Sequence, residues 1–162
     1  MTTILAADEG RVFAIGGDRV TVKGVSGALG VGFALIDYRA APGVPGPPLH
    51  VHDDIDEAWY LLEGQLDVSL GDERRSVGVG SFLLVPYGIP HTFANAGPAW
   101  ARWIGVLSPG SSLSMLEDLG QLIPPDGPPD EAAIIQMLGR YGTTVLGPPC
   151  PDPLILRPCW AL

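Results

Sequence analysis

The stretch HVHDDIDEAWYLLEG, His50 to Gly64, and its later companion GSFLLVPYGIPHTFAN, Gly80 to Asn95, decide how this chain is read. In the first, His50 and His52 are two residues apart, so on an extended backbone both imidazoles leave the same face. Glu57 opens the next apolar run in parity with Trp59 and Leu61. His91 opens a later run, with Phe93 and Asn95 alternating behind it. The chain has 3 histidines in all, and every one lies in these two stretches. Imidazole nitrogens with a carboxylate form a donor set suited to a divalent transition metal. Segments so far apart in sequence can meet at one ion only inside a closed sheet.

The flanking sequence reads the same way. Gly (22) and Pro (17) are abundant in a chain that is 46% apolar, which suits many short strands joined by tight turns. RVFAI, DRVTVKGV, GFALIDYR, EAWYLL, QLDVSL, RRSVGV, SFLLVP, HTFANA and ARWIGVL, between Arg11 and Leu107, are strand-length, rich in β-branched and aromatic residues, and bounded by glycine or proline. The expected fold is an all-β barrel or sandwich. After Pro109 the pattern changes. Ser111 to Leu119 predicts a short helix with a serine cap, and Asp130 predicts the cap of a second helix whose apolar stripe is Ala133, Ile134, Met137, Leu138 and Tyr141. Residues 1–110 are expected to form the barrel. Residues 111–162, helices and a proline-rich tail, are expected to pack on it within the same domain, as core, lid or dimer contact.

Composition excludes some functions. Lys and Arg total 9 against 18 Asp and Glu, a net charge of -9, and Lys23 is the one lysine. Such a balance argues against nucleic acid and anionic membranes, and against polyphosphate substrates, which need several cations to neutralise them. A small, weakly charged or aromatic substrate fits better. No apolar run is long enough to span a bilayer. The opening MTTILAADEG lacks a positive region and carries Asp8 and Glu9, so a cytoplasmic location is expected. Cys150 and Cys159 are then expected to be reduced structural or surface thiols.

These two motifs resemble those of the cupins. The first cupin motif places HxH, a glutamate and a glycine at the spacing of His50, His52, Glu57 and Gly64; the second is matched by Gly80, Pro86, Gly88, His91 and Asn95. One departure concerns a turn: Val44 stands at the leading glycine of the first motif, with Gly43 and Gly46 nearby. The resemblance covers about Val12 to Leu107 and is similar to small single-domain cupins of the quercetin dioxygenase-like kind. It implies a jelly-roll barrel in which His50, His52, Glu57 and His91 bind one divalent metal ion, Fe, Mn, Ni, Co, Cu or Zn. It also implies a homodimer.

Asp53, Asp54 and Asp56 stand in the connecting loop and compete with Glu57 as the acidic ligand; the motif favours Glu57. Trp59, Leu61 and Phe93 share parity with ligands and are candidate pocket walls, with core packing as the alternative. Tyr38, Tyr60 and Tyr87 are candidates to hydrogen-bond a substrate. Asn95 is expected to order the turn around the second motif. The expected activity is that of a mononuclear metal-dependent dioxygenase acting on a small aromatic or enolisable substrate, with dioxygen as co-substrate. Glu57 is both ligand and candidate proton acceptor, because no imidazole is left over. Two alternatives stay open: a metal-dependent isomerase, cyclase or lyase, and a cupin that only binds a small molecule.

Overall fold

Alternation of side chains along each strand sets which face is buried. In the computed structural model, which describes residues 4–27, 32–126 and 128–148, the strands are β1 (Arg11–Ile15), β2 (Asp18–Val25), β3 (Ala34–Ala40), β4 (Leu49–His52), β5 (Asp56–Glu63), β6 (Gln65–Leu70), β7 (Glu73–Gly78), β8 (Phe82–Val85), β9 (His91–Ala94) and β10 (Ala101–Ser108). Helices α1 (Leu113–Leu122) and α2 (Glu131–Gly139) follow, and β11 (Thr143–Gly147) closes the described chain. In β10, Ala101, Trp103 and Leu107 point inward at every second position. In β5 the inward set is Glu57, Trp59 and Leu61. Each large apolar side chain so buried stabilises the fold by about 1.5–3 kcal/mol.

Two antiparallel sheets face one another. One has the order β1-β2-β3-β10-β5-β8 and the other β11-β4-β9-β6-β7. Between them lies an aromatic cluster: Tyr38 stacks on Trp103 at 4.3 Å between ring centroids, and Phe93 meets Trp103 and Trp59 edge-on at 5.1 and 5.6 Å. Tyr38 donates its hydroxyl to Asp18 (2.8 Å), whose other oxygen accepts the Ala41 amide. The all-β expectation and its helical extension hold.

Three local readings need correction or sharpening. The serine cap of the first helix is not formed: a 3-10 turn over Gly110–Ser112 precedes α1, and Ser112 makes no side-chain cap bond. Asp130 does cap α2, accepting the Ala133 amide at 3.0 Å, and Ile134, Met137 and Leu138 of its stripe are buried. Tyr141 lies beyond the helix and donates instead to Asp118 at 2.7 Å. The third point is β11, a strand not anticipated, which pairs with β4 at Thr143↔His52 and Val145↔His50. TTVLG is too short to announce itself without its partner. The proline-rich tail, with Cys150 and Cys159, lies outside the described residues.

Candidate metal centre

The two sheets contribute differently to one spot. β4 and β9 of the smaller sheet place His50 opposite His91 in direct register, while β5 of the larger sheet carries Glu57. Asp53 to Ile55 carry the chain across, and Ile55 is buried. Nitrogens of His50, His52 and His91 all lie within 4.8 Å of one another. Glu57 Oε1 is 3.0 Å from His52 Nε2 and 3.8 Å from His91 Nε2. His52 and His91 are buried, and His50 is mostly buried with one edge toward solvent.

The hydrogen bonds around the rings decide which nitrogen each one presents. His50 Nδ1 is 2.8 Å from the Pro48 carbonyl and His91 Nδ1 is 3.0 Å from the Ile89 carbonyl. A carbonyl only accepts, so both rings carry their proton on Nδ1 and turn an Nε2 lone pair inward. His91 Nε2 is buried with no hydrogen-bond partner. A buried acceptor left unsatisfied costs about 1–3 kcal/mol unless something meets it. A cation held between these groups would meet it, so the donor set fits a divalent metal ion.

Glu57 is fixed from the other side, where Trp59 Nε1–H donates to Oε2 at 2.8 Å. Burial by itself raises the Glu57 carboxyl, but the contacts with His52 and His91 outweigh it and hold the group well below the usual carboxylate range. Glu57 is therefore an anion with one oxygen, Oε1, facing the imidazoles. Burial comes first, and then the repulsion a protonated ring would meet from a second charge on His91 or His52; together they lower the His50 pKa to about 3. Between that value and about 6.5, an unfolded chain takes up a proton at His50 that the folded chain refuses, so stability falls as pH drops through this window. Urea unfolding of metal-free protein at a series of pH values should show the midpoint declining from pH 7 to pH 4, with a shallower decline in His50→Gln. Equal slopes in the two proteins would refute this.

The remaining sequence candidates separate clearly. Asp53 and Asp54 are exposed, and Asp56, also exposed, accepts the Tyr87 amide at 2.9 Å. None of the three joins the histidines. Tyr60 and Tyr87 are exposed, and Tyr38 is committed to Asp18. Trp59 touches the centre through Glu57, with its ring centroid 6.3 Å from that of His91, whereas Leu61 and Phe93 belong to the hydrophobic core. Asn95 orders its turn as expected, donating to the Ala40, Ala41 and Ala99 carbonyls and accepting the Gly97 amide. One residue of the centre has no sequence signal. Thr143, on β11, places Oγ1 2.7 Å from His52 Nδ1.

Comparison with known proteins agrees with this architecture. Residues 37–107 match the family model of the cupin domain. The chain is 30% identical over 93 residues to quercetin 2,3-dioxygenase of Bacillus subtilis (strain 168), covering 57% of this chain and 27% of that protein. It is 31% identical over 90 residues to polyketide synthase CurC of Streptomyces cyaneus, covering 56% and 54%. Among solved structures, KdgF from Halomonas sp. superposes with a TM-score of 0.58 at 20% identity, covering 66% of this chain and 94% of that one. Residues 37–107 thus carry a cupin-domain match on a cupin fold, and three histidines lie close enough together that they could hold a metal ion. The chain spans about a quarter to about half the length of the two curated relatives named.

Proposed function

We propose that this cupin is a mononuclear metal-dependent dioxygenase acting on a small aromatic or enolisable substrate. The observation that carries the reading is the convergence of His50, His52, His91 and Glu57 from two sheets, with His91 Nε2 buried and unpaired. Likeness to a quercetin 2,3-dioxygenase supports the choice of reaction class. His50, His52 and His91 would hold the ion through Nε2 and Glu57 through Oε1. Fe, Mn, Ni, Co, Cu and Zn all accept this donor set. When bound, such an ion supplies Lewis acidity that favours the ionised form of an enol or phenol.

The chain's own residues set the rest. Trp59 occupies Glu57 Oε2, which leaves Oε1 as the oxygen presented at the centre. The same contacts that keep Glu57 ionised make it a weak proton acceptor, so its role as ligand is better supported than its role as base. With 3 histidines, all in the cluster, no imidazole is free to move protons. Dioxygen uptake by metal-reconstituted protein, measured across flavonols and β-diketones, tests the proposal. Uptake is expected with at least one such substrate and is lost in His52→Ala. A metal-loaded protein that consumes no oxygen with any enol overturns it.

Likeness to a polyketide synthase component favours a second reading, metal-dependent cyclase, isomerase or lyase chemistry. Product formation under strict anaerobiosis distinguishes it from the first. We also propose a homodimer in the cytoplasm. Phe82 and Leu84, 64% and 56% exposed on the edge strand β8, support an association face, and light scattering checks the stoichiometry. Among the described residues no helix is long and apolar enough to cross a membrane.

A further inference from the structure

His52 differs from its two neighbours in what holds it. His50 and His91 give their Nδ1 protons to main-chain carbonyls, which can do nothing but accept. His52 Nδ1 faces a hydroxyl instead, Thr143 Oγ1 at 2.7 Å, which can accept a proton or donate one. Thr143 has a second partner: its hydroxyl donates to Met115 Sδ at 3.3 Å. His52, Thr143 and Met115 are all buried, at 2%, 3% and 3% exposure, so water does not replace these contacts.

A hydroxyl has a single proton. With that proton on Met115, Thr143 accepts Nδ1–H from His52, and the ring lone pair sits on Nε2 among the other ligand atoms. With the proton turned onto Nδ1, His52 takes the opposite tautomer, and its Nε2–H donates to Glu57 Oε1 at 3.0 Å. The first arrangement leaves His52 and Glu57 both free to ligate; the second ties them to each other.

We infer that Thr143 and Met115 are positioning residues for His52, the sulfur drawing the threonine proton away so that Nε2 is the nitrogen presented at the metal centre. The inference rests on the metal-centre reading above. Met115 is on α1 and Thr143 on β11, both beyond the 37–107 segment that matches the cupin domain. The C-terminal extension is therefore part of the centre although none of its described residues joins the histidine cluster.

The test uses the full-length protein and zinc, read by competition with a chromogenic chelator. Thr143→Val keeps the shape and leaves Nδ1–H without an acceptor; zinc affinity is expected to fall about 10- to 100-fold, the usual effect of losing such an outer partner. Thr143→Ser, which retains the hydroxyl, is expected to stay within about threefold of wild type. Met115→Leu is expected to weaken binding by less than Thr143→Val, and the double variant to be no weaker than Thr143→Val alone, because both act through one contact. Nitrogen-15 shifts of His52 in zinc-free protein should move in Thr143→Val and not in Thr143→Ser. Thr143→Val with wild-type affinity and unchanged His52 shifts overturns the inference, as does full additivity in the double variant. Wild-type protein that takes up no zinc overturns the metal reading instead, and the zinc-free shifts then decide the Thr143 contact on their own.

Discussion

Replacing His91 by alanine is expected to lower metal affinity by at least about 100-fold while leaving the metal-free fold close to wild-type stability. The magnitude follows from dividing the roughly 10–16 kcal/mol of a four-ligand zinc site among its ligands, about 3 kcal/mol each, with each 1.4 kcal/mol worth tenfold. The split between affinity and stability follows from the structure. His91 Nε2 is a buried acceptor without a partner, so in the metal-free protein its removal relieves an unmet group, which offsets the lost Nδ1–H bond to the Ile89 carbonyl and the small void left behind. Elemental analysis after reconstitution and dialysis, alongside urea unfolding with chelator present, reads both quantities. Wild-type protein should hold about one ion per chain, and the variant close to none. A variant that retains the full metal load would remove His91 from the ligand set and with it the proposed centre. Protons compete with the metal for imidazole, so wild-type affinity should also fall as pH is lowered toward 5.

The second large effect is a backbone one. Gly46→Ala is expected to destabilise the protein by about 3–5 kcal/mol, the range reached when a strained conformation and a steric overlap coincide. Gly46 has φ +72°, and a Cβ there would lie 1.6 Å from the Phe93 carbonyl oxygen and 2.7 Å from its carbonyl carbon. The obstructing group cannot move aside cheaply. Phe93 is central in β9, paired with Val68, and the loop is pinned to that strand by Thr92 Oγ1–H donating to the Pro47 carbonyl at 2.6 Å. Gly43 provides the control: its φ is also +72°, but a Cβ there meets nothing within 4 Å. Gly43→Ala should therefore cost only the left-handed penalty, about 1–2 kcal/mol. Thermal unfolding should separate the two variants by several degrees, since 1 kcal/mol corresponds to about 2–4 °C at this size. Equal melting temperatures would show that the loop yields.

This pair of glycines also resolves the one departure from the cupin motif. Val44 stands where the motif has its leading glycine, and the structure shows why that is tolerated. The glycine that β9 requires is Gly46, whereas Val44 is half-buried and forms an isolated bridge with Asn95, whose amide donates to its carbonyl at 3.0 Å. Motif spacing registers which residue types occur, and close approach of two backbones becomes visible only once β9 is in place.

Much of the site was legible beforehand because it is written in local periodicity. The two-residue step from His50 to His52 puts both rings on one face of any strand, and parity from Glu57 through Trp59 to Leu61 follows from the same geometry. Turn glycines and the proline of the second motif mark where the strands must end, so the all-β class and the gathering of the three histidines at one spot were readable without coordinates. The contacts that tune the ligands were not. Thr143 lies 91 residues from His52, and 28 from Met115. A threonine in a five-residue strand has nothing in its neighbours to distinguish it. The bond from Trp59 to Glu57 spans two residues, yet parity alone cannot say that an indole turns toward a carboxylate rather than into the core. Short-range periodicity thus determines which atoms can face one another, because side-chain direction is a property of the local backbone. Which of them carry protons, which have their second oxygen occupied and which nitrogen is left unpaired depend on packing between the two sheets and the extension, and those distances exist only in the folded chain.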